Sequence, residues 1–331
     1  MNISQQIIEQ IKNSNNIVIT SHKSPDGDSI GSSLALFQFL KKLNKSASIC
    51  HPDPCPKFLS WVEDVNLIVN FEENKEEVEQ LLNSADLIFS LDYNEPSRMG
   101  NEMGEILSQV SAFKIMMDHH LNPSGFANIN WSDTNSCSTC QLIYELIEES
   151  ENLDLLDAQI GTPMYLGIMT DTGSFRFNSV KAKTHLIIAK LLDVGVKNDE
   201  IHENTFDDNT QDKLKLRGFA TSEKLVILDE KVAYISLSEE ELSQFKHDKG
   251  DTEGLVNVAL SIKGVKIAAF FAEKDGTIKI SFRSKGRENP INMLANEYFH
   301  GGGHANAAGG KFEGKLNDAI ELFEKVIPNY I

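Results

Sequence analysis

Short apolar runs alternate with helix-period stretches through the first half of the chain. Ile17-Val-Ile-Thr20 reads as a buried strand, and residues 47–50, 87–91 and 114–117 repeat that pattern. Between them, residues 32–43 put Leu34, Phe37, Leu40 and Leu43 on one side of a helix, and residues 75–82 form a charged helix. Helical spacing returns at residues 139–149, 155–168 and 181–192. Strands that alternate with helices predict an α/β domain, with a mostly parallel sheet flanked by helices on both faces.

The pattern changes after residue 196. Residues 197–213 are polar without a clear period and read as a linker, turning helical at Leu214, Leu216 and Phe219. From about residue 225 strand patterns crowd together, at 232–236, 265–271 and 277–283, with Lys274-Asp-Gly-Thr277 as a hairpin turn. Helices at 291–298 and 316–326 close the chain. The expected organisation is a domain over residues 1–196, a linker over 197–222 and a smaller α+β domain over 223–331, with an active-site cleft between the two. A chain of 331 residues also suits two cores better than one.

Composition narrows the function classes. The chain is 40% apolar and 24% charged, as in ordinary soluble proteins, and no apolar run approaches a membrane span. Residues 1–12 are amphipathic, with Ile3, Ile7, Ile8 and Ile11 on one face. They lack the basic segment and apolar block of a signal peptide, so a cytoplasmic location is expected. The net charge of −18 argues against a surface that grips long nucleic acid. It permits a small anionic substrate in a metal-lined cleft, where the local field outweighs the sum. Of the four cysteines, Cys137 and Cys140 form C-S-T-C. A zinc site or redox pair can take that form, but the segment opens a helix and reads as small residues at a helix start. Cys50 and Cys55 demand no disulfide.

The chemistry lies where acids and histidines fall after strands. Ser21-His-Lys-Ser-Pro-Asp-Gly-Asp-Ser-Ile-Gly31 follows the first strand and supplies His22, Asp26 and Asp28, with Gly27 allowing a tight turn. Ser90-Leu-Asp92 and Met116-Met-Asp-His-His120 end two more strands, and Gly167-Ile-Met-Thr-Asp-Thr-Gly173 gives Asp171 on what reads as a fourth loop. In open parallel sheets ligands bind beyond the carboxyl ends of the strands. His22, Asp26, Asp28, Asp92, His119 and Asp171 are therefore expected at one edge. Four carboxylates with two imidazoles suit two divalent cations, Mn²⁺ foremost. One acid must bridge them, and Asp92 is placed for it. Ions about 3.5–4 Å apart can share a water and lower its pKa, so that it attacks phosphorus as hydroxide.

These motifs, in this order, resemble the DHH phosphoesterase superfamily. The name-giving triplet is Asp118-His119-His120, and Thr170-Asp171-Thr-Gly-Ser-Phe-Arg176 matches the last motif of the catalytic domain. The tail resembles the associated C-terminal domain through Gly301-Gly-Gly-His-Ala-Asn-Ala-Ala-Gly309 and Ile280-Ser-Phe-Arg-Ser284. The resemblance implies one ion held by His22, Asp26 and Asp92, and another by Asp28, Asp92, His119 and Asp171. It implies that His120 faces the scissile phosphate, that Asp118 orients the histidines, and that Arg283 and His304 bind substrate. Ser284 and the run Gly301, Gly302, Gly303 go with them; glycine amides can approach an anion closely, although three glycines are equally common in plain loops. Arg98 reaches a phosphate or braces its loop. Ser136, Cys137, Ser138 and Thr139 contact an anion or simply cap a helix. His51, His185, His202, His247 and His300 read as structural or solvated.

Within the superfamily, the chain is similar to the NrnA-type oligoribonucleases, or nanoRNases. They degrade RNAs of about two to five residues to mononucleotides and dephosphorylate 3′-phosphoadenosine 5′-phosphate to AMP. Short RNA and small phosphorylated nucleotides are thus the expected substrates, without a membrane, and a homodimer is the assembly implied. The alternative is a soluble phosphodiesterase of cyclic di-AMP or its linear product pApA. A nucleotide sensor without catalysis would show eroded ligands, and all six are present.

Overall fold

The computed structural model describes residues 2–248, 250–286 and 288–331, and Met1, at the head of the amphipathic N-terminal stretch, lies outside them. The chain divides into two compact units, Met1–Asp208 and Asn209–Ile331. Among the described residues no helix is long and apolar enough to cross a membrane.

In the first unit the strands are β1 (Asn16–Thr20), β2 (Ser46–His51), β3 (Ile68–Asn70), β4 (Leu87–Leu91), β5 (Phe113–Asp118) and β6 (Ile129–Ser132). They form one parallel sheet in the order β3-β2-β1-β4-β5-β6. The helices are α1 (Ile3–Asn13), α2 (Gly27–Lys42), α3 (Lys75–Ser84), α4 (Asn101–Gln109), α5 (Thr139–Glu149), α6 (Ala158–Asp171), α7 (Ala182–Asp193) and the short α8 (Asn198–His202). Successive strand residues serve opposite cores, as a pleated strand requires. Ile17 and Ile19 pack with Ile7, Phe39, Leu146 and Ile160, while Val18 packs with Val78, Leu82 and Leu107. Helices thus cover both faces, as the alternation predicts.

Two boundaries differ from expectation in ways that matter. α2 starts at Gly27, five residues before 32, because Asp26 caps it: its Oδ1 accepts the Asp28 and Ser29 amides at 3.1 and 3.0 Å. The segment carrying Asp28 is therefore the first turn of a helix. Asp171 is the last residue of α6 and not part of a loop. These two helix ends meet because α2 and α6 pack at backbone distance. A Cβ on Gly31 would lie 2.3 Å from the Pro163 carbonyl oxygen, and one on Gly167 would lie 3.1 Å from the Asp28 Cα.

The second unit holds α9 (Gln211–Ser222), β7 (Leu225–Leu228), β8 (Val232–Leu237), α10 (Glu239–Gln244), α11 (Leu255–Ser261), β9 (Ile267–Lys274), β10 (Thr277–Ser284), α12 (Ile291–Tyr298), β11 (Gly302–His304), β12 (Ala307–Glu313) and α13 (Leu316–Val326). Its sheet runs β11-β12-β10-β9-β8-β7 and is antiparallel except for the β8–β9 pair. Phe271, Phe282, Phe299 and Phe323 fill one face under α12 and α13, and Leu216, Leu255, Ile235 and Phe270 fill the other. The β9–β10 turn places Asp275 and Gly276 at φ 50° and 74°, as a tight hairpin demands. The polar stretch 197–213 is mostly helical: α8, a π-helical turn at Glu203–Asp207, and the start of α9.

Candidate metal centre

The strand order reverses between β1 and β4, which makes their carboxyl ends the crevice of the sheet. The ends are tied together by hydroxyls. Thr20 Oγ1 donates to the Phe89 carbonyl and Ser21 Oγ to the Leu91 carbonyl, each at 2.9 Å. Thr20 pairs with Ser90 in the ladder, so two residues further on His22 comes level with Asp92. Asp92 itself sits at φ 65°, in the left-handed region, with its amide bonded to the Met117 carbonyl.

His22, Asp26 and Asp92 form one group, their ligand atoms all within 4.8 Å of one another. His22 Nδ1 donates to the Lys23 carbonyl at 2.9 Å, since a carbonyl can only accept. Nε2 is thereby turned to Asp92 Oδ2 at 3.3 Å and Asp26 Oδ2 at 3.8 Å. Burial disfavours its charge, but the bond to Asp92 and the charge of Asp26 outweigh that and hold His22 up at about 9.

Asp28, His119 and Asp171 form a second group of the same tightness. His119 Nε2 faces three carboxylates: Asp171 Oδ2 at 3.4 Å, Asp92 Oδ1 at 3.5 Å and Asp28 Oδ2 at 3.8 Å. Asp92 thus turns one oxygen to each group. Asp28 is seated on the start of α5, its Oδ2 accepting the Thr139 amide at 2.6 Å and its Oδ1 the Cys140 amide at 2.9 Å. Thr139 Oγ1 donates to Asp92 Oδ1 at 3.0 Å.

The rest of the triplet, Asp118 and His120, adjoins the shared carboxylate, with His120 Nδ1 3.8 Å from Asp92 Oδ1. His120 Nδ1 lies 2.7 Å from Asp118 Oδ1, and the His120 amide donates to Asp118 Oδ2 at 3.1 Å. Asp118 is fully buried and holds His120.

This donor set fits divalent cations. Asp28, Asp92 and Asp118 are all essentially buried, and the charged partners recorded for these three and Asp171 are histidines. Burial, then the charges of Asp92 and Asp171, push Asp28 well above the carboxylate range. Burial does the same to Asp171, with Asp26 and Asp92 adding and His119 opposing, and brings it to about 6. Crowded carboxylates that repel one another in a low dielectric are stabilised by a cation among them. The oxygen and imidazole donors match borderline ions such as Mn²⁺. Cys137 and Cys140 are free thiols, both buried, and burial pushes Cys137 up to about 12 and Cys140 well above the ordinary thiol range. They pack; they are not placed as metal ligands.

The other expected site residues belong to the turn after β4 and to the second unit. Arg98 is exposed on the turn after β4, and its carbonyl accepts the Lys23 amide at 2.8 Å. Arg283 and Ser284 end β10; Arg283 Nη1 donates to the Phe282 carbonyl at 2.9 Å. The Ser284 hydroxyl is engaged, donating to the Asn289 carbonyl at 2.6 Å and accepting Asn306 Nδ2 at 2.8 Å. Gly302, Gly303 and His304 form a strand, β11, at the edge of the sheet. The Gly301 amide bonds to the Ala295 carbonyl, and a Cβ there would lie 1.9 Å from the Gly309 oxygen, so packing explains this glycine.

Thr139 and His51 are what sequence reasoning undervalued. The run Ser136-Cys-Ser-Thr139 does signal a helix start, and Ser138 caps Gln141. The anion it meets is the protein's own Asp28. His51 is fully buried and its Nε2 lies 2.9 Å from Ser33 Oγ. Ser33 Oγ in turn donates to the Ser29 carbonyl in the first turn of α2.

Comparison with known proteins agrees with this layout. Residues 16–168 match the DHH family N-terminal domain and residues 229–329 the DHHA1 domain. A protein of Thermus thermophilus named bifunctional oligoribonuclease and PAP phosphatase NrnA is 31% identical over 94% of this chain and 88% of its own length. The Bacillus subtilis protein of that name is 27% identical over 92% of this chain and 91% of its own. The crystal structure of an exopolyphosphatase-related protein from Bacteroides fragilis superposes with a TM-score of 0.95 at 38% identity, over 99% of this chain and 96% of that one.

Proposed function

The chain belongs to the DHH family of phosphoesterases, and from that membership we propose that it hydrolyses short oligoribonucleotides to mononucleotides and 3′-phosphoadenosine 5′-phosphate to AMP. The observation that carries the reading is Asp92, whose two oxygens turn to two separate groups of buried ligand side chains. The names of two relatives aligned over nine-tenths of the chain support the substrates. The net charge of −18 supports a substrate with few phosphates.

His22, Asp26 and Asp92 would hold one cation, and Asp28, Asp92, His119 and Asp171 the other. Two bound divalent ions, Mn²⁺ by preference, would supply a water of lowered pKa and offset the charge of the phosphate. The chain does the rest. The Lys23 carbonyl fixes the His22 tautomer, leaving Nε2 as the ligand atom. His120 would donate Nδ1–H to Asp118 Oδ1, so that Nε2–H of the imidazolium is the proton passed to the leaving oxygen. In the second unit Arg283, His304 and the edge strand of glycines, and in the first Arg98, are assigned to the substrate's phosphate and nucleoside. Guanidinium suits the first of these through paired N–H donors. Ser284, its hydroxyl engaged, braces the loop behind Arg283. A cytoplasmic enzyme would meet such fragments where RNA is turned over.

The test is turnover of a diribonucleotide, 3′-phosphoadenosine 5′-phosphate and cyclic di-AMP on one preparation, with Mn²⁺ and with chelator. Mn²⁺-dependent release of mononucleotide and AMP is expected. Turnover confined to cyclic di-AMP would replace the reading, and turnover of none would refute it.

A further inference from the structure

We propose that Thr139 is a positioning residue that sets the affinity of one of the two metal groups by fixing the carboxylate they share. This rests on the metal reading above and goes beyond it.

Thr139 is the first residue of α5 and is fully buried. The first amides of a helix have no partner within it. Here Ser138 takes the Gln141 amide, and the Thr139 and Cys140 amides go to Asp28, 111 and 112 residues earlier in the chain. Capping accounts for all three amides. It does not account for the hydroxyl, which turns away from the helix to Asp92 Oδ1. One residue therefore bonds a carboxylate private to the second group through its backbone and the shared carboxylate through its side chain.

The consequence is directional. Asp92 Oδ2 faces His22, while Oδ1 faces His119 and takes the Thr139 hydroxyl. With the hydroxyl present, turning the carboxylate about its Cβ–Cγ bond breaks a hydrogen bond. Without it, Oδ1 turns away from His119 more easily and a buried acceptor loses one of its donors. A change confined to the side chain leaves both amides on Asp28. The lost donor is on Asp92 Oδ1, so the larger effect falls on the side of Asp28, His119 and Asp171, while His22 still faces Oδ2.

Thr139→Val keeps the shape and removes the hydroxyl; Thr139→Ser keeps the hydroxyl. The measurement is Mn²⁺ binding to the full chain by calorimetric titration and electron paramagnetic resonance, beside urea unfolding of the metal-free protein. We expect two binding events in the wild type. In Thr139→Val one should weaken by about ten-fold or more, as outer partners of metal ligands do, with the other weakened clearly less. Thr139→Ser should restore it, and unfolding of the metal-free valine and serine proteins should not track the loss. If valine prevents folding, Thr139→Ala against Thr139→Ser isolates the same hydroxyl. Wild-type affinity at both events in the valine or alanine protein overturns the inference, as does an equal loss at both. Wild-type protein that binds no Mn²⁺ removes the metal reading and this inference with it.

Discussion

His119 and His120 are neighbours in the chain but are held differently: His119 Nε2 points among Asp28, Asp92 and Asp171, whereas His120 Nδ1 is held 2.7 Å from Asp118 and stands 3.8 Å from Asp92. Their rings stand 4.8 Å apart and tilted by 56°. The two should therefore fail differently. His119→Ala should lower metal occupancy, seen as lost Mn²⁺ stoichiometry. His120→Ala should keep both ions and lose about 10²–10⁴ in kcat, the range of a missing general acid. Asp118→Asn should resemble His120→Ala, because an amide no longer fixes the Nδ1 proton. Equal metal loss in all three would show that the division is wrong.

The close packing of α2 on α6 carries its own prediction. A methyl on Gly31 meets the Pro163 carbonyl, which is backbone and cannot swing aside. Overpacking of this kind costs about 1–3 kcal/mol. Gly31→Ala should lower the urea midpoint accordingly. Because α2 carries Asp28 and α6 ends at Asp171, it should also weaken Mn²⁺ binding. A wild-type midpoint in that variant would mean the helices part easily.

Much of this site is legible in the sequence because acids and histidines follow apolar strand runs directly. Ile17–Thr20 ends just before His22, and Leu91 just before Asp92, so strand ends and ligands are read together. What escapes is set by distant partners. Gly27 and Asp28 look like loop until the Asp26 cap is seen to start α2 early. Thr139 shows only a capping signal, since its partners lie 47 and 111 residues away. The strand β12 is missed for a different reason: Ala307-Ala-Gly-Gly310 has low strand propensity and is held by pairing with β10. The short α10 and α11 lack the length for a period to show.

The substrate role proposed for Arg283 is testable apart from the metal ligands. It ends β10 on a strand with its own core, far in sequence from the ligand motifs. Arg283→Gln should raise KM or lower kcat/KM for 3′-phosphoadenosine 5′-phosphate by roughly ten- to a hundred-fold, the worth of a hydrogen bond to a charged group. Mn²⁺ affinity and urea stability should stay as in the wild type. An unchanged kcat/KM would take Arg283 out of the substrate site.

The last prediction concerns acid stability and turns on His51. Ser33 Oγ gives its proton to the Ser29 carbonyl, so it must accept from His51 Nε2, and the ring is neutral with its proton on Nε2. Nδ1 is buried without a hydrogen-bond partner among the described residues. Protonation would place an unpaired charge there. Burial, with the charge of His22 adding, accordingly pushes His51 down to about 3 from an ordinary 6.5. The unfolded chain then binds a proton that the folded protein refuses, so stability is complete above about pH 6.5 and falls as the pH drops towards 3. The slope from this group approaches about 1.4 kcal/mol per pH unit. Urea unfolding of the metal-free protein between pH 7 and 5 should show it. His51→Asn keeps a donor for Ser33 and cannot titrate, so it should flatten that slope even where it lowers the plateau. Should the asparagine protein lose stability with acid as steeply as the wild type, the proton goes elsewhere and His51 is not the group that limits the fold.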